Sequence, residues 1–234
     1  IAELAEVGPG DQVVEIGPGI GALTLALCDT GASVTAIEID DTLVEVLNEV
    51  TNGRSVRIVH ADAMKADWTK ILGAGPWHLV ANLPYNISVP LICDLLDETP
   101  AVVSMLVMVQ REVADRLVAG PGDAAYGLPS VKVNYHATAA LVGKVPQSVF
   151  YPRPRVDSAL VHIKRRLEPA VTADAKTLFA LVRAGFGQRR KMLRRSLSAM
   201  ITEEEIKAAN VEPTARAEEL NLQQWAAIAD RVKK

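Results

Sequence analysis

The 234-residue sequence predicts an α/β fold with a mostly parallel sheet, followed by a small all-helical domain. Three observations support this prediction. Short apolar runs alternate with segments of helical periodicity in the first half of the chain, and glycine or acidic residues follow the ends of those runs. From about Ala173 the apolar spacing becomes helical to the end. With 49% hydrophobic residues, a chain of this length can bury one medium-sized core and a smaller second one.

The chain begins with two strand–helix pairs. Residues 11–17 form an apolar run that predicts the first strand, and residues 22–29 carry a helical pattern that ends before Gly31. Residues 33–39 predict the second strand, and residues 41–50 predict the second helix because their apolar residues share one face. This alternation indicates a parallel sheet covered on both faces, which binds ligands at the carboxyl ends of its strands.

Three further apolar runs extend the sheet. Residues 56–59 predict the third strand and are followed by His60, Ala61 and Asp62. Residues 77–82 predict the fourth strand, and residues 102–109 predict the fifth. Because parallel strands end at the same edge, the polar residues that follow them are expected to lie together there.

The stretch Asn82-Leu83-Pro84-Tyr85, at the end of the fourth strand, carries the most specific chemistry. The Asn82 amide oxygen and the Leu83 carbonyl, held rigid by the following proline, can each accept one N–H of an exocyclic amine. The Tyr85 ring can lie on the face of the base that bears this amine. Accepting both N–H groups takes the nitrogen lone pair out of conjugation, so that the amine becomes nucleophilic without a strong general base. The stretch therefore predicts methylation of a base amine.

The turn Gly17-Pro18-Gly19-Ile20-Gly21-Ala22 satisfies a loose dinucleotide-binding pattern and does not by itself separate NAD from other nucleoside cofactors. Acidic residues favour S-adenosylmethionine. Glu15 would face a cationic amino acid group and repel a pyrophosphate. Glu38 is placed to accept both ribose hydroxyls, and Asp62 to accept the adenine amine. Gly17 and Gly19 would let the backbone approach the methionine part of this cofactor.

Several longer motifs occur together in the chain. They are Val14-Glu15-Ile16-Gly17-Pro18-Gly19-Ile20-Gly21-Ala22-Leu23-Thr24, Glu38-Ile39-Asp40, Asp62-Ala63, Asn82-Leu83-Pro84-Tyr85-Asn86-Ile87-Ser88, Gln110-Arg111-Glu112-Val113, Tyr126-Gly127 and Val149-Phe150-Tyr151-Pro152-Arg153-Pro154-Arg155-Val156-Asp157-Ser158. On these motifs, which span most of the chain, it resembles the ribosomal RNA adenine N6,N6-dimethyltransferases of the KsgA type. The Asn-Leu-Pro-Tyr-Asn-Ile and Phe-x-Pro-x-Pro-x-Val-Asp-Ser runs are specific when they occur together.

The resemblance implies a Rossmann-like S-adenosylmethionine-dependent methyltransferase domain with a mostly parallel seven-stranded sheet in residues 1–168. It implies a small all-helical C-terminal domain, involved in RNA binding, in residues 169–234. The implied enzyme dimethylates two adjacent adenosines near the 3′ end of 16S rRNA within the assembling 30S subunit. The expected catalytic residues are Asn82, Leu83, Pro84, Tyr85 and Phe150. The expected cofactor-binding residues are Glu15, Gly17, Gly19, Glu38, Ile39, Asp62, Ala63 and Asn82.

Phe150 precedes Tyr151-Pro152-Arg153-Pro154-Arg155, a stretch whose prolines hold the backbone extended. An aromatic ring on such a loop can reach a base lying on Tyr85 and sandwich it; a core-filling role is the alternative for Phe150. Arg153 and Arg155 can bind flanking phosphates, although exposed arginines are also common on proline-rich loops.

The net charge of −3 conceals a basic region. Residues 151–200 contain 12 Lys and Arg against 3 Asp and Glu, which leaves −12 for the rest of the chain. There the spacing of Leu193, Leu197 and Met200 predicts one helix, on which the basic residues pair at i, i+4. Because like charges so spaced repel, a polyanion such as RNA is the expected partner, and a solvated face is the alternative. The predicted RNA-binding residues are Arg153, Arg155, Arg183, Arg189, Arg190, Lys191, Arg194 and Arg195.

Later helices are marked by caps. Thr202 with Glu205, and Asn221 with Gln224, have the three-residue spacing of a capping box. Leu222, Trp225 and Val232 predict packing of the last helix, and we assign these residues to structure only.

Composition and spacing exclude other classes. No apolar run approaches the roughly 18 residues that span a bilayer, Cys28 and Cys93 fit reduced core thiols, and the histidines show no metal-ligand spacing. We therefore expect a cytoplasmic monomer without metal or membrane partner. Because the chain opens on Ile1 rather than Met and lacks the family's amino-terminal Gln-Asn-Phe motif, we expect the natural protein to begin earlier, with a segment that helps cover the cofactor.

Three alternatives remain open at this point. A 23S-directed adenine methyltransferase of the macrolide-resistance class would share the catalytic residues and differ in its RNA substrate. An RNA-binding ribosome assembly factor with secondary catalysis would bind RNA as its main task. An NAD enzyme would leave Asn82-Leu83-Pro84-Tyr85 without a role.

Overall fold

The computed structural model describes residues 1–151 and 153–232. Its Cα positions form two compact units. The first comprises Ile1–Ala114 and Thr138–Arg165, and the second comprises Asp115–Ala137 and the chain from Arg166 onward. The predicted boundary at residue 168 is therefore incomplete, because residues 115–137 fall in the second unit.

The first unit contains one seven-stranded sheet with the strand order β3-β2-β1-β4-β5-β7-β6. Strands β1 to β5 are joined by parallel pairing, and β7 runs antiparallel to β5. This confirms the mostly parallel sheet. The strands are β1 Gln12–Ile16, β2 Ser33–Glu38, β3 Val56–His60, β4 Trp77–Asn82, β5 Val102–Gln110, β6 Ala137–Val145 and β7 Ser158–Arg165.

Helices alternate with the first five strands, as the apolar spacing predicts. These helices are α1 Ala22–Asp29, α2 Asp41–Val50, α3 Trp68–Leu72, α4 Ser88–Glu98 and α5 Arg111–Val118. Helix α2 begins where Asp40 accepts the backbone N–H groups of Thr42 (2.9 Å) and Leu43 (3.3 Å). Val13, Val14 and Leu79 are fully buried, which explains why the central strands are continuous apolar runs.

The end of α4 is held by an arginine from β7. The Arg165 guanidinium donates to the carbonyl oxygens of Leu95 (2.9 Å), Leu96 (2.9 Å), Thr99 (3.1 Å) and Val102 (2.8 Å). The last carbonyls of a helix lack helical partners, so this side chain supplies further donors there. The Leu95 and Thr99 carbonyls also accept from Thr99 N (3.0 Å) and Val102 N (3.1 Å). Burial lowers the pKa of the guanidinium from its ordinary value, since part of the charge has been removed from water.

The reversed strand β7 decides where the segment between β6 and β7 lies. Ser158, the first residue of β7, pairs with Gln110, the last residue of β5. The chain therefore enters β7 at the edge where the parallel strands end. Asp157 fixes the segment there, because its carbonyl accepts from Arg111 N (2.9 Å) and its Oδ1 accepts from Gln147 N (3.1 Å).

The second unit is helical. Its helices are α6 Leu128–His136, α7 Ala175–Gly187, α8 Leu193–Ser196, α9 Glu203–Ala208 and α10 Leu222–Ala229. Residues 115–137 belong here because Tyr126, Val131 and Tyr135 are buried in the same apolar cluster as Leu178 and Trp225. Tyr126 Oη also donates to the Leu220 carbonyl at 2.9 Å, and burial raises the pKa of this phenol to about 12.

One predicted helix of this unit is wrong. The spacing of Leu193, Leu197 and Met200 predicts a single continuous helix, but α8 ends at Ser196 and a turn follows. Leu193 and Leu197 are still fully buried, because a short helix and a turn bring the same side chains to the core. Arg190 and Lys191 lie before α8, so the predicted i, i+4 pairs of like charge do not share one helix.

Both predicted caps are present. Thr202 Oγ1 accepts from Glu205 N (3.2 Å) while Glu205 Oε2 accepts from Thr202 N (2.9 Å), and Asn221 and Gln224 make the equivalent pair. The two cysteines are free thiols. In residues 1–151 and 153–232, no helix has the length and apolarity needed to cross a membrane.

Candidate functional site

Two cavities adjoin each other at the carboxyl ends of the strands in the first unit. The first cavity has a volume of about 280 Å³ and the second about 370 Å³. Pro84 lines both cavities, so the two are neighbours in the structure. The first is lined by Ile16, Gly17, Ile37, Glu38, Ile39, Ala61, Asp62, Ala63, Pro84, Asn86 and Ile87. The second is lined by Asn82, Leu83, Pro84, Tyr85, Phe150 and Pro154.

In the glycine turn after β1, Gly17 lines the first cavity, whereas Gly19 does not and its contact with a cofactor stays a prediction. Gly17 and Gly19 have φ angles of +66° and +58°, a backbone conformation that side chains rarely adopt. A Cβ atom on Gly17 would lie 3.4 Å from the ring of Pro84, and Gly17 N donates to Ile37 O at 3.0 Å. Because Gly17 has no side chain, only backbone atoms of the turn lie beside Pro84.

The Glu38 carboxylate is held against the wall of the first cavity. Its Oε1 accepts from the backbone N–H groups of Ile39 (2.8 Å) and Asp40 (3.0 Å), and its Oε2 accepts from Gly19 N (3.3 Å). The side chain is 5% exposed. Three amide donors fix the position of this carboxylate and tie the glycine turn to the end of β2.

Asp62 and Ala63 follow β3 and also line the first cavity. Asp62 Oδ1 accepts from Met64 N at 2.9 Å, while Lys65 Nζ lies 3.3 Å from Oδ2. The backbone bond orients the carboxylate. The Lys65 side chain is 84% exposed, so the ion pair contributes little to stability.

Glu15 lies in β1, next in sequence to Ile16 and Gly17 of the first cavity, and its carboxylate is buried. Its side chain is 1% exposed and is absent from the cavity lining, and its Oε2 accepts from Thr24 Oγ1 on α1 at 2.6 Å. Burial raises the pKa of this carboxyl from 4.5 to about 7; Thr24 opposes the shift and the charge of Glu38 adds to it. A direct contact between Glu15 and a ligand therefore stays a prediction, and its bond to Thr24 links β1 to α1.

Glu15 should make the protein less stable as the pH rises. Its carboxyl is protonated in both states below about pH 4.5 and ionised in both above about pH 7, so the folded state binds more protons between these values. We expect the free energy of unfolding to fall by roughly 2–3 kcal/mol from pH 5 to pH 8 through this group. Urea unfolding at both pH values measures the effect. In Glu15→Gln the difference between the two pH values should shrink by this amount; an unchanged difference would contradict the assignment.

The second cavity begins where β4 leaves the sheet. Asn82 ends β4 with an exposed side chain, whereas the Leu83 side chain is buried and Leu83 N donates to Met108 O at 3.1 Å. Tyr85 Oη lies 3.1 Å from Ser158 Oγ, and Ser88 Oγ donates to the Tyr85 carbonyl at 3.1 Å. These bonds fix the phenol ring beside the exposed Asn82 amide.

Phe150 and Pro154 complete the second cavity from the segment between β6 and β7. The structure thus brings Phe150 to the same cavity as Tyr85, although they are far apart in sequence, and stacking of a base between the two rings stays a prediction. Arg153 and Arg155 are exposed, and Arg153 Nε donates to Gln147 Oε1 at 3.0 Å. Pro152, part of the predicted rigid stretch, lies outside the described residues.

The basic residues of the second unit are exposed at its surface. Arg183, Arg190, Lys191 and Arg195 belong to this group. Two others pair with acids of the same unit. Arg189 Nε donates to Glu218 Oε2 (3.2 Å) and Arg189 Nη2 to Ala124 O (3.2 Å), and Arg194 Nη1 lies 3.6 Å from Glu203 Oε2. These pairs orient Arg189 and Arg194, so the six cations are not equivalent.

Sequence reasoning missed several residues of the first cavity. Ile16, Ile37, Ala61, Asn86 and Ile87 line it without being predicted. Each lies within two residues of a predicted site residue, so their position near the strand ends could have identified them as lining residues. Over residues 1–151 and 153–232, no group of three or more His, Cys, Asp and Glu side chains could hold a metal ion.

Comparison with known proteins places the site in context. The sequence profile of a family described as "Ribosomal RNA adenine dimethylase" matches residues 1–234. A protein of Streptomyces griseus named "Ribosomal RNA small subunit methyltransferase A" is 46% identical over 242 residues, covering 98% of this chain and 82% of that protein. A protein of the same name from Kineococcus radiotolerans is 46% identical, covering 98% of this chain and 79% of its own length.

Two solved structures share the fold over nearly the whole chain. The 23S rRNA methyltransferase ErmE is 28% identical with a TM-score of 0.75, covering 99% of this chain and 94% of that one. A dimethyladenosine transferase from Plasmodium falciparum is 24% identical with a TM-score of 0.78, covering 96% and 90%. The second likeness shows the fold alone.

Proposed function

Because the chain belongs to the ribosomal RNA adenine dimethylase family, we propose that it dimethylates N6 of two adjacent adenosines near the 3′ end of 16S rRNA, with S-adenosylmethionine as methyl donor. Relatives at 46% identity are named small-subunit methyltransferases. The observation that carries the proposal is the second cavity, where Asn82, Tyr85 and Phe150 meet beside the cavity that Glu38 and Asp62 line.

The first cavity suits S-adenosylmethionine. Its lining offers a fixed carboxylate at Glu38 for a ribose diol and a second carboxylate at Asp62 for an adenine amine, with apolar contacts from Ile39 and Ala63. The glycine turn leaves backbone beside Pro84, where a bulky side chain would intrude. When bound, this cofactor supplies a methyl group on a sulfonium that is already activated for transfer.

The second cavity suits a flat base with an exocyclic amine. The Asn82 amide oxygen and the Leu83 carbonyl accept its two N–H groups, which localises the nitrogen lone pair toward the first cavity. Tyr85, held by Ser158, and Phe150 stack on the two faces of the base. Stacking offsets part of the cost of taking the base out of its helix, by roughly 1–3 kcal/mol per base. Catalysis therefore depends on orientation and on hydrogen bonds to the amine.

The helical unit would add affinity for the RNA. Its exposed cations, Arg183, Arg190, Lys191 and Arg195, are positioned on the surface to neutralise phosphates, and Arg153 and Arg155 would do so beside the second cavity. Such contacts give affinity without reading sequence. The enzyme would then select its target adenosines by the folded shape of the RNA within the ribosomal particle.

A 23S rRNA target is the second candidate, because the solved structure of a 23S rRNA methyltransferase covers nearly all of this chain. Identity favours the small subunit, at 46% against 28%. The chemistry at Asn82 is the same in both cases, so only the RNA distinguishes them.

Methyl incorporation from labelled S-adenosylmethionine tests the proposal. The acceptors are 30S particles that lack adenosine dimethylation, 50S particles and free rRNA. We expect two methyl groups on each of two adjacent adenosines of the 30S particle. Transfer only to 23S rRNA would favour the second candidate. Binding of 30S particles without transfer to any acceptor would indicate an assembly factor instead.

Glu38 should control cofactor affinity. Glu38→Ala removes the carboxylate that we assign to the ribose hydroxyls, and a hydrogen bond to a charged group contributes about 1.5–3 kcal/mol. We therefore expect the dissociation constant for S-adenosylmethionine, measured by calorimetry, to rise roughly 10- to 100-fold. Glu38→Gln keeps one acceptor and should show a smaller rise. If Glu38→Ala binds the cofactor as tightly as the wild type, the ribose lies elsewhere.

A further inference from the structure

Tyr151 is an unusually exposed aromatic residue. Its side chain has a relative exposure of 102%, while every other tryptophan, tyrosine and phenylalanine in the described part of the chain is buried or half-buried. Aromatics make up only 4% of the sequence, and water solvates such a ring poorly. The position has no packing role that would explain a tyrosine.

The backbone sets Tyr151 apart from Phe150. Phe150 has φ −104° and ψ 146°, an extended conformation. Successive side chains on extended backbone point to opposite sides. Phe150 lines the second cavity, whereas Tyr151 is absent from its lining and stands in solvent. The Phe150 ring can therefore contact a ligand in the second cavity, while the Tyr151 ring can contact a group outside it.

The surroundings of Tyr151 match a single strand of nucleic acid. Arg153 and Arg155 are exposed on the same segment, and Val149 is 63% exposed. An exposed ring beside cations is the combination that binds single-stranded RNA, because the ring stacks on a base while the cations face the phosphates. Asp157, the acidic residue of the segment, is engaged through Oδ1 with Gln147 N.

We propose that Tyr151 is a stacking platform for the nucleotide next to the base held in the second cavity. The inference rests on the proposed function, since it takes that base to be an adenosine of a single-stranded RNA. While one of two adjacent adenosines occupies the cavity, its neighbour stays outside and needs a surface. Tyr151 supplies that surface and so positions the strand without touching the reacting amine.

A double-mutant cycle between protein and RNA tests the inference. The probe is a fluorescein-labelled single-stranded RNA with two adjacent adenosines, used intact or with an abasic site immediately 5′ or 3′ of the target. We expect Tyr151→Ala to weaken binding of the intact RNA about 10-fold and to cause no further loss with one of the two abasic RNAs. Tyr151→Phe keeps the ring and should bind like the wild type.

Control outcomes separate stacking from other effects. Leu167→Ala removes an equally exposed apolar side chain, at 106% exposure, and should leave binding unchanged. The inference is overturned if Tyr151→Ala binds the intact RNA like the wild type, or if its loss is the same with the intact RNA and both abasic RNAs. It is overturned as well if Tyr151→Phe loses as much affinity as Tyr151→Ala, because the hydroxyl would then be responsible.

An assay of methyl transfer distinguishes a failure of this inference from a failure of the proposed function. With 30S particles, Tyr151→Ala should raise KM about 10-fold and leave kcat and the cofactor dissociation constant within twofold of the wild type. A wild-type protein that transfers no methyl group refutes the proposed function, while the binding cycle still decides the role of Tyr151. If the wild type transfers methyl groups but the affinity losses from Tyr151→Ala and from each abasic site are additive, only the role of Tyr151 is refuted.

Discussion

Asn82→Ala should lower the turnover number for methyl transfer by about 10²–10³-fold, the usual loss when one preorganised hydrogen-bonding group of an active site is removed. Asn82 stands exposed at the end of β4 beside Tyr85, and it lines the second cavity but not the first. Its loss removes one of the two acceptors for the amine. The dissociation constant for S-adenosylmethionine should therefore stay within a few-fold of the wild-type value.

Single-turnover transfer to 30S particles, together with calorimetric titration of the cofactor, measures both quantities. Asn82→Asp keeps an acceptor oxygen of the same reach and should retain more activity than the alanine variant. Asn48→Ala is a matched control, because Asn48 is an exposed asparagine whose side chain donates to Val44 O of its own helix. Equal turnover in Asn82→Ala and wild type would remove Asn82 from the mechanism.

Arg165→Met should lower the free energy of unfolding by about 3–5 kcal/mol. The substitution keeps an unbranched apolar stem and removes the donors to four carbonyl oxygens at the end of α4 and the start of β5. Leu95 and Leu96 are each 1% exposed, so water reaches their carbonyls poorly once the guanidinium has gone. The Leu96 and Val102 carbonyls should carry most of this cost, because the Leu95 and Thr99 carbonyls keep the backbone donors Thr99 N and Val102 N.

Urea unfolding, followed by circular dichroism, checks this value. Arg165→Lys keeps the charge but can donate to only some of the four carbonyls. Its free energy of unfolding should therefore lie between those of Arg165→Met and the wild type. The neighbouring Arg166 donates through Nε to Ala137 O at 3.2 Å, and Arg166→Met should lower the free energy of unfolding by about 1 kcal/mol. Similar losses for both methionine variants would show that the four bonds are not individually important.

Strands β1 to β5 could be predicted because each is a largely apolar run with a clear end, whereas no bounds were predicted for β6 and β7. Gly17 stops the first strand, and the acidic or amide residues Glu38, Asp62 and Asn82 mark the ends of the next three segments. The predicted strands begin and end within one residue of the observed ones. The cavity residues at these ends followed from the same rule, since parallel strands end at one edge.

Other features depend on contacts between distant residues and left no pattern. The four bonds of Arg165 join residues more than 60 positions apart. The burial of Glu15 and its bond to Thr24 likewise left no pattern in the sequence, and its predicted contact with a ligand stays a prediction. The helix predicted through Leu197 failed because the i, i+4 spacing of buried residues is also produced by a short helix and a turn.

The antiparallel strand β7 also has a consequence for how this enzyme family can diversify. The residues that line the first cavity all precede Ser88, whereas Phe150 and Pro154 come from a segment anchored at both ends in neighbouring strands. Substitutions and insertions in such a surface segment are tolerated without rebuilding the sheet. A lineage can therefore acquire a new acceptor by varying this segment while its methyl donor stays the same, and selection for altered targets should begin with libraries over residues 147–156.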